Sequence, residues 1–388
     1  MEFLYDLAIV AIIKDEGRYL AEWLDYHIAI GVEHFFLYDN GSKDNTREIL
    51  APYREWVTAI YVPGQKMQLP VYNMAIRDYA YCAKYLAIID LDEFIYPVGG
   101  KDIHELLAEK LGDGNWSGLT ANWVIFGSNG HRIRPEGGVL ENYTKRGKEA
   151  DHHVKSILNP RRVYNVDNPH RAMYYLRGAI DEDGRQMPEP FNEARPHREI
   201  QINHYATKSR EEFIERRCRP RADYGTPYED LEAVFAEADQ NDVFDDGILK
   251  YYEKYKKIPR QPKNVFGYAK KLLLEEISPA IQGRETTVEE ILNYVGIYET
   301  LAVKVIDVTN EEEVRSNLYN RLIQIFNAAD RIYVEYFWQT LNLLPYFLKS
   351  SERERMQKFM LDSIKNAKHG CTFNMAEWHL LDFLERIL

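Results

Sequence analysis

The stretch "YLAIIDLDEFIY" (residues 85–96) decides how this chain is interpreted, because a run of apolar residues leads directly into three acids. Its first half has the composition of a strand that is buried on both faces. Asp90, Asp92 and Glu93 follow at once, so carboxylates emerge from the end of a core strand. Such acids either cap a loop or hold a cation, and the surrounding sequence is needed to choose.

The first hundred residues alternate strand-like and helix-like segments. Apolar runs typical of strands occupy 7–13, 34–40, 57–63 and 85–96. Segments with helical spacing or capping residues lie between them, at 16–31, 41–53 and 68–84. This alternation predicts βαβ units and an open parallel sheet with right-handed crossovers. Ligands of such sheets bind outside the carboxyl ends of the strands, which is where the polar clusters at 14–16, 39–40 and 90–92 fall.

The D-x-D pattern favours a divalent cation. If 85–96 is extended throughout, Asp90 and Asp92 point to one side and Glu93 to the other, where it would hold the loop or the basic part of the chain. Two like charges close together are costly unless a cation lies between them. Oxygen ligands suit Mg²⁺ or Mn²⁺, which commonly also hold substrate phosphates.

Two later residues could complete such a site. His204 ends the strand-like segment "EIQINHY" (199–205) and could add a nitrogen ligand. Lys208 precedes a helix and could face phosphate oxygens there. The alternatives are a packed core histidine for His204 and a solvated surface lysine for Lys208.

From about residue 115 the pattern changes to short strands with long polar connections, which predicts a mixed sheet. A helix is expected at 208–222, and two prolines in "KIPRQPKN" (257–264) predict a division near residue 260. Residues 261–388 are expected to form an α-helical domain. Its aromatic segment 333–348 favours a helical core over a surface for oligomerisation or acceptor binding.

Composition narrows the function. The chain has 388 residues and a net charge of −12, which argues against non-specific nucleic-acid binding. Residues 131–221 nevertheless carry 19 basic and 14 acidic residues and 6 of the 11 histidines, as a site for an anionic ligand would. The three cysteines lie far apart and favour a reducing compartment. The N-terminus reads as a first strand and not as a signal peptide, and no apolar run is long enough for a membrane span.

Five segments, in order, resemble the GT-A glycosyltransferases of the family 92/family 2-like group. They are 12–46 ("IIKDEGRYLAEWLDYHIAIGVEHFFLYDNGSKDNT"), 87–97 ("AIIDLDEFIYP"), 121–131 ("ANWVIFGSNGH"), 152–170 (from "HHVKSILNPRRV" to "NPH") and 202–224 ("INHYATKSREEFIERRCRPRADY"). The resemblance spans about residues 5–260. It implies a GT-A, Rossmann-like, mostly parallel sheet over 1–260, divided near 115 into a nucleotide-binding half and an acceptor half. It also implies a nucleotide-sugar donor, usually a UDP-sugar, a divalent ion on the D-x-D, and transfer with inversion.

The resemblance also implies roles for individual residues. The metal, Mn²⁺ or Mg²⁺, would be held by Asp90, Asp92 and His204. The donor would be bound by Lys14, Asp15, Glu16, Asp39, Gln65, Asn73, Arg77, Asp90, Leu91 and Lys208. For Arg77, a surface charge is an equally good interpretation. The basic window, residues 131–221, owes part of its positive charge to His152, His153, Lys155, His170, Arg161 and Arg162. Some of these residues should neutralise the diphosphate.

The acceptor side is expected at Trp123, Gly127, Ser128 and His131, since sugars stack on aromatic rings and small residues let the backbone approach. A core position is an equally good interpretation of Trp123. An inverting enzyme needs a base for the acceptor hydroxyl. Asp151 is preferred, while Glu193, Glu136 and His131 stay open; a retaining enzyme would need no such base.

The sequence thus favours a cytoplasmic, metal-dependent glycosyltransferase that acts on a glycan, lipid-linked or protein acceptor. The inner face of the membrane is an alternative location. The C-terminal helices offer a surface for homo-oligomers. Two other classes stay open: a non-catalytic sugar- or nucleotide-binding module, and a metal-dependent nucleotide phosphohydrolase.

Overall fold

The computed structural model describes residues 3–264, except 81, 176 and 219–229, together with four positions between 358 and 365. The helical domain expected at 261–388 lies almost wholly outside these residues. The expected sheet-containing domain is therefore the part described below.

The core is one mixed sheet that is mostly parallel, as the sequence predicts. Along its path the strands follow the order β3-β2-β1-β4-β8-β6-β12-β5, and β11 pairs beside β6. These strands are β1 (Tyr5–Ile13), β2 (His34–Asp39), β3 (Val57–Tyr61), β4 (Ala83–Ile88), β5 (Glu93–Pro97), β6 (Gly118–Ile125), β8 (Val154–Leu158), β11 (Ala179–Ile180) and β12 (Ile200–His204). Two small antiparallel pairs lie outside it, formed by β7 (Lys145–Arg146) with β13 (Val243–Phe244) and β9 (Val163–Asn168) with β10 (Arg171–Tyr174).

Helices connect and flank the parallel half. They are α1 (Gly17–Ile30), α2 (Thr46–Leu50), α3 (Gln68–Tyr79), α4 (Ile103–Leu111), α5 (Val139–Asn142), α6 (Arg210–Arg217), α7 (Leu231–Ala238) and α8 (Gly247–Tyr255). The parallel pairs β1–β2, β2–β3 and β1–β4 confirm the predicted βαβ units. No helix among the described residues is long and apolar enough to cross a membrane.

The expected strand 85–96 is wrong in one respect, because the structure divides it. The chain turns after β4: Glu93 N–H donates to the Asp90 carbonyl at 3.1 Å, and the Glu93 carboxylate accepts from Asp90 N–H at 3.0 Å. β5 then pairs antiparallel with β12, at the far end of the strand order from β3. The acids therefore lie in a connection that crosses between two parts of the sheet.

Helix α1 fixes β5, and so fixes the end of this connection. Trp23 Nε1 donates to the Glu93 carbonyl at 2.8 Å, and the Tyr26 hydroxyl donates to the Ile95 carbonyl at 2.7 Å. His27 bridges the two elements, with Nδ1 on the Trp23 carbonyl and Nε2 accepting from Ile95 N–H. Burial lowers the pKa of His27 to about 3, so the ring stays neutral and can do both. All three side chains are fully buried, which makes this end of the site rigid.

Candidate active site

The Lys155 ammonium joins two of the three acids. Its Nζ lies 2.9 Å from Asp90 Oδ2 and 3.4 Å from Glu93 Oε2, and its side chain is 1% exposed. Antiparallel β8 carries this lysine to the edge of β4, where the acids begin. Glu93 thus bonds both the loop and a residue of the basic window, as expected for a structural role. It does not point away from Asp90, because the turn replaces the extended geometry.

Two opposed effects set the charges of this cluster. Burial opposes ionisation of Asp90, but Lys155 outweighs it and lowers the pKa of that carboxyl. Burial raises the pKa of Glu93, although Lys155 lowers it. Burial likewise opposes the charge on Lys155, but its two carboxylate neighbours raise its pKa. The stable arrangement is a charged Asp90–Lys155 pair with Glu93 beside it.

The third acid belongs to a second cluster. Asp92 is buried and its Oδ2 forms an ion pair with Arg216 and lies 3.5 Å from His204 Nε2. The pairing of β5 with β12 sets His204 opposite Glu93, which brings the imidazole to Asp92. Burial opposes ionisation of Asp92, but Arg216 and His204 hold its pKa well below the ordinary range. Burial lowers the pKa of His204, so the ring is neutral and able to accept.

Glu16 and Lys208 adjoin this second cluster. Burial raises the pKa of Glu16, against a lowering effect of Arg216. Burial also lowers the pKa of Lys208, although Asp92 raises it. Lys208 has a φ of 48° and its Nζ lies 4.5 Å from the ring centroid of Tyr19. It is a buried cation at the site and not a solvated surface lysine.

The residues in and near helix α3 that the sequence predicts to bind the donor have other partners or are exposed. Asn73 clasps β9, since its side chain donates to the Val166 carbonyl and accepts from Val166 N–H, both at 2.9 Å. Arg77 pairs with Asp78 at 2.7 Å and is 48% exposed, and Gln65 is exposed in the preceding loop.

Gln68 and Tyr72 contact the D-x-D instead. The Tyr72 hydroxyl donates to Asp90 Oδ1 at 3.0 Å, and Gln68 Nε2 approaches the same oxygen at 3.3 Å. These two residues are one helical turn apart, so they share the face of α3 that meets the acids.

The ends of β1 and β2 form a hydrogen-bonded edge. Asp15, at a φ of 51°, accepts from Lys43 N–H at 2.6 Å, and its own N–H donates to Ser42 Oγ at 3.0 Å. Asp39 accepts from Ser42 N–H at 2.7 Å. Lys14 is exposed beside them. The predicted nucleoside residues therefore lie together at the carboxyl edge of the sheet. Leu91 is a buried part of the loop between the acids.

Trp123 on β6 is surrounded by three histidines. Its ring centroid lies 4.8 Å from those of His153 and His170 and 4.1 Å from that of His204. Its indole N–H is buried and has no hydrogen-bond partner among the described residues. The indole therefore forms a wall between the Asp92–His204 cluster and the segment 151–153.

The loop after β6 is held by other parts of the chain. Ser128 N–H donates to Asp239 Oδ1 at 2.6 Å, and a side chain at Gly127 would meet the Gln240 carbonyl at 2.3 Å. Gly127 thus permits close approach of the segment 239–241. His131 lies edge-on to Tyr143, 5.8 Å between ring centroids. The loop after β6 is therefore packed against the segment 239–241 of this chain, through the Asp239 side chain at Ser128 and the Gln240 carbonyl at Gly127.

Asp151, His152 and His153 form a separate cluster. One ligand atom from each lies within 4.8 Å of the others, which also makes the trio a candidate metal site among the described residues. His153 Nδ1 lies 2.6 Å from Asp151 Oδ1, and His152 Nδ1 lies 3.2 Å from Glu193 Oε1. Burial opposes ionisation of Asp151, but the hydrogen bond with His153 lowers its pKa to about 2.

The part of the chain that contains these residues matches a family of known proteins. The profile of glycosyltransferase family 92 matches residues 12–217, which include both clusters. A glycosyltransferase family 92 protein of Oryza sativa subsp. japonica is 30% identical over 160 residues, or 40% of this chain and 27% of that protein. One of Ricinus communis is 29% identical over 161 residues, or 40% of this chain and 29% of that protein. This chain belongs to glycosyltransferase family 92.

The aligned part spans less than a third of these relatives. Among solved structures, TarS 1–349 of S. aureus in complex with UDP has a TM-score of 0.32 at 12% identity, over 83% of this chain and 88% of that one. Glucosyl-3-phosphoglycerate synthase from Mycobacterium tuberculosis, solved with Mn²⁺ and UDP, has a TM-score of 0.23 at 12% identity, over 31% and 44%.

Proposed function

We propose that this protein is a glycosyltransferase that moves a sugar from a nucleotide-sugar donor, a UDP-sugar in the first instance, to a glycan, lipid-linked or protein acceptor. The observation that carries the proposal is the Asp92–His204–Arg216 cluster at the carboxyl edge of a family 92 sheet. Lys208 lies buried in the same cluster. Carboxylates beside two cations, of which Lys208 is buried, suit a ligand that combines a metal ion with a diphosphate.

The residues present fit a divalent ion. Asp92 Oδ1 and His204 Nδ1 are buried and have no hydrogen-bond partner among the described residues. Oxygen and imidazole ligands together suit Mn²⁺, and Mg²⁺ would rely more on the carboxylates. Asp92 and His204 would hold the ion, with Asp90 kept ionised beside them by Lys155. When bound, the ion would stabilise the negative charge that develops on the leaving diphosphate.

The cations of the site have complementary roles. Arg216 and Lys208 would receive the diphosphate, since both already compensate Asp92. Asp15 and Asp39 line the edge where the nucleoside of such sheets binds, with Lys14 and Glu16 beside them. Gln68 and Tyr72 orient Asp90 through its Oδ1, while Lys155 holds its Oδ2.

Acceptor binding is proposed at Trp123, whose ring contacts His153 of the 151–153 cluster and His204 of the Asp92 cluster. Transfer with inversion follows if a base stands on that side, because the acceptor hydroxyl must lose a proton as it attacks. A cytoplasmic location, peripheral contact with the membrane and self-association through residues 261–388 complete the proposal.

A thermal-shift panel tests donor and metal together. Mn²⁺ with the correct UDP- or GDP-sugar should raise the melting temperature of the wild type, while Asp92→Asn should remove the shift. Asp167→Asn is the matched control, since Asp167 pairs with Arg171 on the surface. If no sugar of either nucleotide shows a metal-dependent shift, the proposal is wrong.

A further inference from the structure

We propose that His153, oriented by Asp151, is the base that takes the proton from the acceptor hydroxyl, in place of Asp151 itself. This inference rests on the proposed function. The sequence alone places His153 among the positive charges of the basic window and does not identify it as the base.

The geometry of a histidine–carboxylate dyad carries the inference. Asp151 Oδ1 accepts from His153 Nδ1 at 2.6 Å and from His153 N–H at 2.8 Å. A proton on Nδ1 is fixed by this contact, so the lone pair of Nε2 is left for a substrate. The backbone is fixed as well, since Asp151 N–H donates to the Trp123 carbonyl at 2.8 Å and Trp123 N–H donates to the His153 carbonyl at 2.9 Å.

Asp151 is better suited to orient than to accept a proton. Burial opposes ionisation of Asp151, but the hydrogen bonds from the side chain and the backbone of His153 lower its pKa to about 2. A carboxylate with so low a pKa is a weak base near neutral pH. It remains charged, however, and can balance the imidazolium that forms when His153 is protonated.

The other imidazoles near Trp123 are less available. His170 is bound through Nδ1 to the Val154 carbonyl at 3.0 Å, and burial together with Lys155 lowers its pKa to about 3. His204 is 11% exposed and lies against Asp92. His153 is 31% exposed and can be reached from solvent. Of the three histidines around the indole, His153 is therefore the one that combines exposure to solvent with a carboxylate partner that can balance its charge.

The position of the dyad suits the direction of transfer. Trp123 stands between His153 and His204, with its ring centroid 4.8 Å from one and 4.1 Å from the other. One indole ring thus separates the base from the residues that would hold the donor. An acceptor bound beside Trp123 would have His153 on one side and the diphosphate of the donor on the other.

The step is balanced. The acceptor oxygen forms a bond to the anomeric carbon as its proton passes to His153 Nε2. The bond from that carbon to the diphosphate oxygen breaks, and its electron pair leaves with the nucleoside diphosphate. The imidazolium then returns its proton to solvent.

The dyad can be tested without any substrate. NMR of histidine-labelled protein should show a downfield Nδ1 proton for His153 that disappears in Asp151→Ala. An Nδ1 proton that is unchanged in Asp151→Ala would overturn the dyad, whether or not a donor has been found.

Catalysis is the second arm. With the donor found by thermal shift, His153→Gln should lower the rate of nucleoside diphosphate release by roughly 10²–10⁴-fold. Its affinity for Mn²⁺ and UDP should stay within about twofold, because the residues of the Asp92 cluster are untouched. His197→Gln is the control, since His197 is bonded only to a local carbonyl.

Two results would contradict the inference, and a third would contradict the proposed function alone. A normal rate in His153→Gln with a lost rate in Asp151→Asn would return the role to Asp151. Uptake of one equivalent of Zn²⁺ or Mn²⁺ that is lost in His153→Gln but kept in Asp92→Asn would make residues 151–153 a metal site instead. A wild type that consumes no donor would contradict the proposed function, and the NMR result would still decide the dyad.

Discussion

The imidazole of His204 lies 3.5 Å from the carboxylate of Asp92, because antiparallel pairing of β5 with β12 sets His204 opposite Glu93. Two segments far apart in the chain thus meet at the edge of the sheet where the D-x-D emerges. The pairing is held by α1 through Trp23 and Tyr26. The candidate metal ligands are therefore placed by the core of the fold.

His204→Ala should weaken Mn²⁺ binding by at least roughly 10- to 100-fold, because the ion loses a direct nitrogen ligand and the loss of an outer-shell partner already costs that much. Titration of Mn²⁺ followed by electron paramagnetic resonance measures this directly. His104→Ala serves as the control, since His104 bonds the Gly31 carbonyl away from the site. Equal Mn²⁺ affinity in His204→Ala and the wild type would exclude His204 as a ligand.

Arg216→Gln should have opposite effects on the two parts of the ligand. Arg216 pairs with Asp92, so its removal should tighten binding of Mn²⁺ alone by about tenfold, or ~1.4 kcal/mol. The same change should weaken binding of UDP in the presence of Mn²⁺, since a cation facing the diphosphate is lost. Calorimetric titrations measure both affinities.

The control for this experiment is Arg210→Gln, because Arg210 begins the same helix and pairs with Glu232 at the surface. If Arg216→Gln weakened the binding of Mn²⁺ alone, Arg216 would not compete with the ion for Asp92.

Lys155→Met should lower the free energy of unfolding by about 3–5 kcal/mol, because it leaves Asp90 and Glu93 buried without their cation. Urea unfolding at pH 7 measures the change. Lys250→Met, at a side chain that is 75% exposed, should change stability by less than about 0.5 kcal/mol. Similar small effects for both variants would show that Lys155 does not support the acidic turn.

Stability should fall in acid partly through Glu212. Burial opposes its ionisation, but hydrogen bonds from Ser209, Tyr19 and Tyr143 lower its pKa from 4.5 to about 2. A carboxyl with a lowered folded pKa contributes stability above its unfolded pKa and loses it as the pH falls. The contribution of Glu212 should therefore be complete above about pH 4.5 and fade toward pH 2.

Glu212→Gln should be less stable at pH 7 by roughly 2 kcal/mol and should show a flatter pH dependence between pH 5 and pH 2. Urea unfolding across this range supplies the comparison. Glu215→Gln is the control, because Glu215 shares the partner Arg134 but is 58% exposed. Parallel pH profiles for Glu212→Gln and the wild type would contradict the assigned role.

The edge of the sheet that carries the candidate site can be predicted from the sequence alone. Continuous apolar runs identified β1 to β4, and the rule that ligands meet the carboxyl ends of parallel strands selected Asp15, Asp39 and Asp90. Local pattern failed where the chain turns at Asp90, since an apolar segment follows the acids as well as precedes them. Only the pairing partner of β5 distinguishes a second strand from a continuation, and that partner is remote in sequence.

The sequence also does not identify the residues that reach the site through pairing between distant segments. Arg216 reaches Asp92 from α6, and Lys155 reaches Asp90 because antiparallel β8 lies beside β4. A lysine inside the apolar run "HVKSIL" (153–158) was a usable sign of a buried ion pair. The i,i+4 pair Gln68 and Tyr72 on α3 was another, since it marks one polar face of a helix next to the acids.

The products formed from the donor test the central claim most directly. The wild type should be incubated with Mn²⁺ and each of a panel of UDP- and GDP-sugars, and the nucleotides separated by chromatography. Sugar transfer breaks the bond between the anomeric carbon and the diphosphate, so the account predicts release of the nucleoside diphosphate, lost in Asp92→Asn. Release of a nucleoside monophosphate with a sugar phosphate, or no consumption of any donor, would contradict it.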